Sequence, residues 1–519
     1  MKKNWLLLIT FFVAIFLAAC SSGGASTEPN NEKDGNKEEK SGGDNTLTYA
    51  SLTDAVGLSP ILTNDGASAN VTDHVYEKLF ERNAETMEIE PQLAESYENP
   101  DENTWIIKLK QGIKFHDGTP FNAEAVKYTF DKLRDPATAA PRASLMEPVD
   151  TITVVDEYTV EIKTKYPYGP FLASLSHSNA AIVSPEADQK QDLMNNPVGT
   201  GPFKFVSWVP GDQIVLESNP DYHDGEPALK KVIFKVVPEV STAISMLQAG
   251  EVQFIDKLPT EQLSRIESLK NVTIEKVEGT PQYYLTVNHS KVENQDPEFR
   301  KAIASAIDRD AFISKMNGLA VRSDSIIGPK VFGYKESADK AGTPYDLDAA
   351  KALVEKNGYG ERPIKLLTAN RGNFVLMAEV VQAQLAEAGF KVEIETMEWA
   401  AFLDTARAGE YDITFLSWSN LTADGSELFY PNFHSDNVGS SNRAQYSNPE
   451  FDKLVEASRT TTNQEERLEL LHQANQLMLE EDAIVIMYHD VVTAALDSSF
   501  TGLQLEPTGK WNVSKVTRK

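Results

Sequence analysis

The chain has 519 residues, 41% of them hydrophobic, and its 77 acidic against 49 basic side chains give a formal net charge of −28. That excess of acid excludes a nucleic-acid partner, because phosphate binding needs a basic surface. Beyond the N-terminus no apolar run approaches the roughly 18 residues of a membrane-spanning helix. At roughly 150 residues per domain there is room for two or three lobes around a large core.

The N-terminal elements come first in chain order. Lys2 and Lys3 precede an apolar run from Trp5 to Phe16, which ends in Leu17-Ala18-Ala19-Cys20. Small residues before a cysteine mark a processing site rather than a spanning helix. The pattern resembles a bacterial lipobox, so residues 1–20 are expected to be a lipoprotein signal peptide with Cys20 as the lipidated residue. Cys20 is the only cysteine, so no disulfide is available and the body depends on its core. Residues 21–46 carry no large apolar side chain and read as a disordered tether. The expected location is the outer face of the cell membrane, or the periplasm, with the lipid as the only membrane contact.

Strands and helices then mix. Residues 104–109 and 159–164 alternate as strands do. Between them Asn122 can cap a helix with Val126, Phe130 and Leu133 on one face, ended by Pro136. A strand at 229–237 and a helix at 241–248 follow, stopped near Gly250. A helix at 298–308 presents Phe299, Ile303, Ala306 and Ile307 to a core. The clearest unit is β-α-β-α-β: strand 364–369, helix 374–388, strand 391–396, helix 399–408 and strand 412–417. Such alternation predicts a parallel sheet with right-handed crossovers. Ligands of such sheets sit beyond the carboxyl ends of the strands. The loops 370–373 and 418–424 should therefore share one edge and form a site. Residues 449–480 read as helical and 484–487 as a strand.

Catalytic chemistry finds no support. The eight histidines form no HExxH and have no cysteine partners. There is no GxSxG elbow, P-loop or GxGxxG. Gly199-Thr200-Gly201-Pro202 suits a turn better than a phosphate cradle, since Pro202 lacks an amide donor. The expectation is a protein that is not an enzyme and uses no cofactor, catalytic residue or metal.

Several segments together resemble the solute-binding proteins of peptide, nickel and opine ABC importers, family 5. They are Leu93–Tyr97 (LAESY), Thr104–Gly118 (TWIIKLKQGIKFHDG), Phe121–Val126 (FNAEAV), Pro197–Phe203 (PVGTGPF), Asn219–Tyr222 (NPDY), Phe299–Arg309, Glu398–Trp418 and Tyr446–Glu450 (YSNPE). The likeness spans the mature chain in order. It is greatest to glutathione-binding and dipeptide-binding lipoproteins, on Thr63-Asn64-Asp65 and on Trp418-Ser419 followed by a polar run to Asp424. It implies an α/β fold, a two-lobed periplasmic-binding-protein-like clamshell of class II type with an extra subdomain in the first lobe. The first lobe would take residues 47–280 and 486–519, with the subdomain at about 75–165, and the second lobe 281–485. The implied function is capture of short peptides or peptide-like solutes by hinge closure, as a monomer that serves separate permease and ATPase chains. Glutathione or nickel-chelate specificity and a peptide-sensing role stay open.

Dipeptide binders hold the ligand's ammonium with an aspartate about three residues after the tryptophan. Here that position is Leu421, and the nearest acid is Asp424. Arg371, in a strand-to-helix loop, suits a ligand carboxylate. Trp418, at a strand end, suits stacking on the ligand, and Asp424 is either the ammonium acceptor or a turn residue before Gly425. Asn64 and Asp65 are ligand contacts or a helix cap, and Tyr283 and Asn288 are cleft candidates near the interlobe crossing. Phe115–Gly118, Arg300 and Arg309 are assigned structural roles, the two arginines in ion pairs. Nickel-type members rely on a histidine, for which His434 is the nearest.

Overall fold

The structure is a computed structural model that describes residues 45–335 and 342–519. Cys20, the signal segment and all but the last residues of the expected tether lie outside the described residues. The body starts earlier than expected: Asn45 Nδ2 donates to Ala228 O at 3.0 Å, and a strand begins at Thr46.

One large sheet organises the molecule. Its strands are β1 (Thr46–Ser51), β6 (Phe203–Val209), β7 (Gln213–Ser218), β8 (Lys231–Val236), β9 (Phe254–Asp256), β10 (Val272–Val287), β11 (Ala320–Val321), β12 (Pro363–Ala369), β13 (Lys391–Met397), β14 (Ile413–Trp418) and β15 (Ile484–Asp497). A separate four-stranded sheet holds β2 (Ala94–Asp101), β3 (Thr104–Leu109), β4 (Val149–Asp156) and β5 (Thr159–Thr164). The large sheet runs β13-β12-β14-β10-β15-β9-β1-β8-β7-β6, with β11 on β15.

The helices that matter for the site are α1 (Gly66–Val75), α2 (Ala123–Arg134), α3 (Pro297–Ala306), α4 (Asn373–Glu387), α5 (Trp399–Arg407), α6 (Pro449–Thr460) and α7 (Gln464–Glu480). The Asn122 side chain caps α2, and the helix buries Val126, Phe130 and Leu133 as the period demands. The expected β-α-β-α-β unit is β12-α4-β13-α5-β14, with β12 parallel to both neighbours. Three readings shift. The helix expected at 298–308 stops at Ala306, because Asp308 caps the next helix through Ala311 N. The 449–480 stretch is two helices, broken where Asn463 caps α7. The strand expected at 484–487 runs on to Asp497, since it pairs with β10 along its length.

Two large cores result. One gathers Leu47–Phe234 with Phe254 and Ala494–Val516, and the other gathers Tyr284–Tyr488. A smaller cluster around Ile244, Leu247 and Ile255 adjoins β10 and β15 through Ile274 and Ala495. β10 and β15 contribute to both large cores. Their antiparallel register slips between Glu278↔Val491 and Gln282↔His489, setting Gly279-Thr280-Pro281 against Asp490 alone. Pro281 has no amide to give a ladder, so such a bulge is where a paired strand tolerates it.

Candidate functional site

A cavity of about 1130 Å³ opens beside this crossing. It is lined by residues from 60–72, Arg142, 177–179, 257–261, 281–283, 315–319, 371–376, Ser419, Leu421, 490–493 and 508–510. The loops after β12 and β14 both reach it, as the parallel topology requires.

The sequence-derived candidates divide. Asn64, Asp65, Tyr283 and Arg371 line the cavity. Arg371 is exposed, and its guanidinium lies 4.1 Å from the Trp399 ring centroid, which fixes its direction. Asn64 Oδ1 accepts from Arg142 Nε at 2.8 Å. Asp65 is the cap of α1, its Oδ1 accepting from Ser68 N at 2.9 Å, while Oδ2 is buried without a partner. Tyr283 stacks on Tyr488 at 4.6 Å and 9° and meets Phe374 edge-on.

The other three lie elsewhere. Trp418 pairs with Gln282 on β10 and packs on the second core; its neighbours Ser419 and Leu421 face the cavity instead. Asn288 is fully buried at the far end of β10 and donates to Gly409 O (2.6 Å) and Tyr411 O (3.2 Å). Asp424 is buried with both oxygens on Arg467 Nη2, at 2.9 and 2.8 Å, and accepts from Ser426 N and Oγ. Burial alone would raise its carboxyl, but Arg467 and Ser426 hold it below the usual range. Its charge is committed to a buried guanidinium, which corrects the expectation that it receives a ligand ammonium. His434 is also buried away from the cavity, its Nε2 3.2 Å from Glu456 Oε1. Arg309 pairs with Asp324 as assigned, whereas Arg300 donates to the Glu481 and Gln295 carbonyls.

Sequence reasoning missed six charged lining residues, Glu261 and Asp490 among them. Arg142, Lys257, Lys315 and Lys510 join Arg371, against the acids Asp65, Glu261 and Asp490. A cleft with more cations than acids, in a chain of net charge −28, is a local reversal of sign. The N-termini of α1 and α4 open on it and add positive potential. His177 is buried, and burial followed by the nearby Lys510 and Arg142 pushes its imidazole down to about 3, so it is neutral at pH 7. Burial pushes the Asp490 carboxyl up to about 7. An acid inside the apolar run Ile484–Asp497 was a signal the sequence held.

A two-lobed α/β body with a polar cleft beside its crossing strands is the architecture of a solute-binding clamshell. Residues 88–440 match the model of the bacterial extracellular solute-binding proteins, family 5, middle region, and the chain belongs to that family. It is 29% identical over 484 residues to a probable D,D-dipeptide-binding periplasmic protein of Escherichia coli, covering 89% of this chain and 92% of the relative. It is 30% identical to a glutathione-binding protein of the same species, covering 87% of this chain and 90% of the relative. Among solved structures, an ABC transporter-associated periplasmic binding protein of Helicobacter pylori in complex with a peptide superposes with a TM-score of 0.75 at 28% identity, covering 91% of this chain and 98% of that one. Membership makes the chain a solute-binding protein and not an enzyme.

Proposed function

We propose that this chain is the lipid-anchored binding subunit of an ABC importer, that it captures short peptides or peptide-like solutes rich in carboxylate, and that the lobes close on the ligand about a hinge. The observation that carries the reading is the cation-lined cavity, with Arg142, Lys257, Lys315, Arg371 and Lys510 around about 1130 Å³. Carboxylates entering it meet guanidinium forks and helix N-termini, where charge-assisted hydrogen bonds are strongest.

We place the hinge at the bulge of β10 and β15, where the ladder is interrupted between the two cores. The first lobe then holds 47–280 with its subdomain, and the second runs from 281. The chain returns at about 489–491, since Ile486, Met487 and Tyr488 pack in the second core. Closure is a population shift driven by tighter binding to the closed state. The partners are a permease pair and ATPases on separate chains.

A glutathione-like solute is favoured within this class by one observation: Leu421 lines the cavity where ordinary dipeptide binders carry an acid. A nickel chelate is disfavoured, because His434 is outside the cavity and His177 is buried. The test is a thermal-shift titration of the full chain against glutathione, mixed di- to pentapeptides and Ni²⁺. A ligand at one hundred times its Kd adds about 2.7 kcal/mol of stability. A shift with glutathione or peptides supports the proposal, and a shift with Ni²⁺ alone, or with none, contradicts it.

A further inference from the structure

We propose that Asp490 accepts the primary ammonium group of the bound solute, in place of the acid missing at position 421. This rests on the peptide-like solute of the preceding section and assigns one end of it.

Asp490 sits in β15 at the bulge, opposite the insert Gly279-Thr280-Pro281, and its one register partner is Ala320 of β11. It lines the cavity, and burial is the largest influence on its carboxyl, offset in part by the backbone amide of Val491. Among the described residues its carboxyl has no ion pair and accepts no side-chain hydrogen bond. The ionisable groups that feel it are the phenols of Tyr283, from β10, and Tyr488, from β15 itself. A part-buried carboxylate with no ion pair is costly until a cation reaches it. Burial already pushes it up to about 7, and a bound ammonium would draw it back down.

The two other acids of the cavity fit the role less well. Asp65 spends Oδ1 on the α1 cap and has Lys257 nearby, whose Nζ lies 4.0 Å from the place of a β-carbon on Gly66. Glu261 is exposed. Positions 421 and 490 converge on the same crossing. Leu421 follows Asn420, whose carbonyl accepts from Thr280 Oγ1 at 3.1 Å, and Thr280 belongs to the insert facing Asp490. The acid proposed here lies not in the loop after β14 but on β15, across β10 from it in the sheet. A carboxylate on the cavity wall close to the Tyr283 ring suits a compact ammonium.

The test is calorimetric titration of the full chain and of Asp490→Asn with glutathione, dialanine and trialanine, each also in N-acetylated form. For the probe that binds, acetylation and Asp490→Asn should each weaken affinity at least tenfold, and the acetylated probe should bind both proteins alike. That last equality also shows that the variant is folded. Equal affinity of wild type and Asp490→Asn for the free-amine probe would overturn the assignment and leave the proposed function standing. Loss of free-amine and acetylated probes together would overturn it too, since the residue would then shape the cleft rather than meet the amine. No binding of any free-amine probe by the wild type would overturn both.

Discussion

Arg371 and Asp424 show how differently two charged loop residues end up. Arg371 is exposed at the cavity with its guanidinium over Trp399, so Arg371→Ala should weaken carboxylate-bearing ligands at least tenfold in calorimetry. Its effect on stability should stay within about 0.5 kcal/mol. Asp424 neutralises Arg467, itself 2% exposed, so Asp424→Asn leaves a buried guanidinium uncompensated. Denaturant unfolding should show a loss of about 3–5 kcal/mol, with ligand affinity in the surviving folded protein unchanged. Local pattern marked Arg371, because a strand-to-helix loop announces itself in sequence. It could not show that Asp424 belongs to a side chain 43 residues further on. Asp490 makes a pH prediction. Its folded value is raised from 3.8 to about 7, so the stability it contributes is lost as pH rises through that range. The ligand-free Asp490→Asn protein should gain in melting temperature over wild type from about pH 4 to about pH 7 and hold that gain above. A difference that does not change with pH would contradict the burial argument.

The β12-α4-β13-α5-β14 unit was legible because period 3.6 and short apolar runs alternate cleanly there, with Gly389 and Gly409 closing the helices. The direction of its strands followed, and with it the edge where Arg371 and Ser419 meet. The crossing pair β10 and β15 was only half legible. The residues 484–487 look like a complete strand, and the histidine and aspartate after them look like its end. Pairing with β10 carries the strand to Asp497, and nothing local encodes a partner some 200 residues away. The bulge is therefore a tertiary feature, and Gly279 is its tightest point. A β-carbon there would sit 2.8 Å from the Asp490 carbonyl oxygen. Gly279→Ala should cost about 1–3 kcal/mol of stability and lower ligand affinity, both measurable on the purified full chain. An unchanged affinity would argue against the bulge as the hinge.

Across the whole molecule, charge separates by place. The surface carries the acid excess and the cleft the opposite sign, so an anionic solute is repelled by most of the protein and drawn to one region. Composition reported the first half of this and could not report the second. Of the five cations, Arg142, Lys257, Lys315 and Lys510 come from four distant segments that only the fold assembles. The measurement that bears most directly on the account is calorimetric titration of the full chain with glutathione and short peptides beside their C-terminally amidated forms. The account predicts saturable one-to-one binding of the free-carboxylate ligands and clearly weaker binding after amidation. Equal affinity for amidated and free forms, or no binding of either, would contradict it.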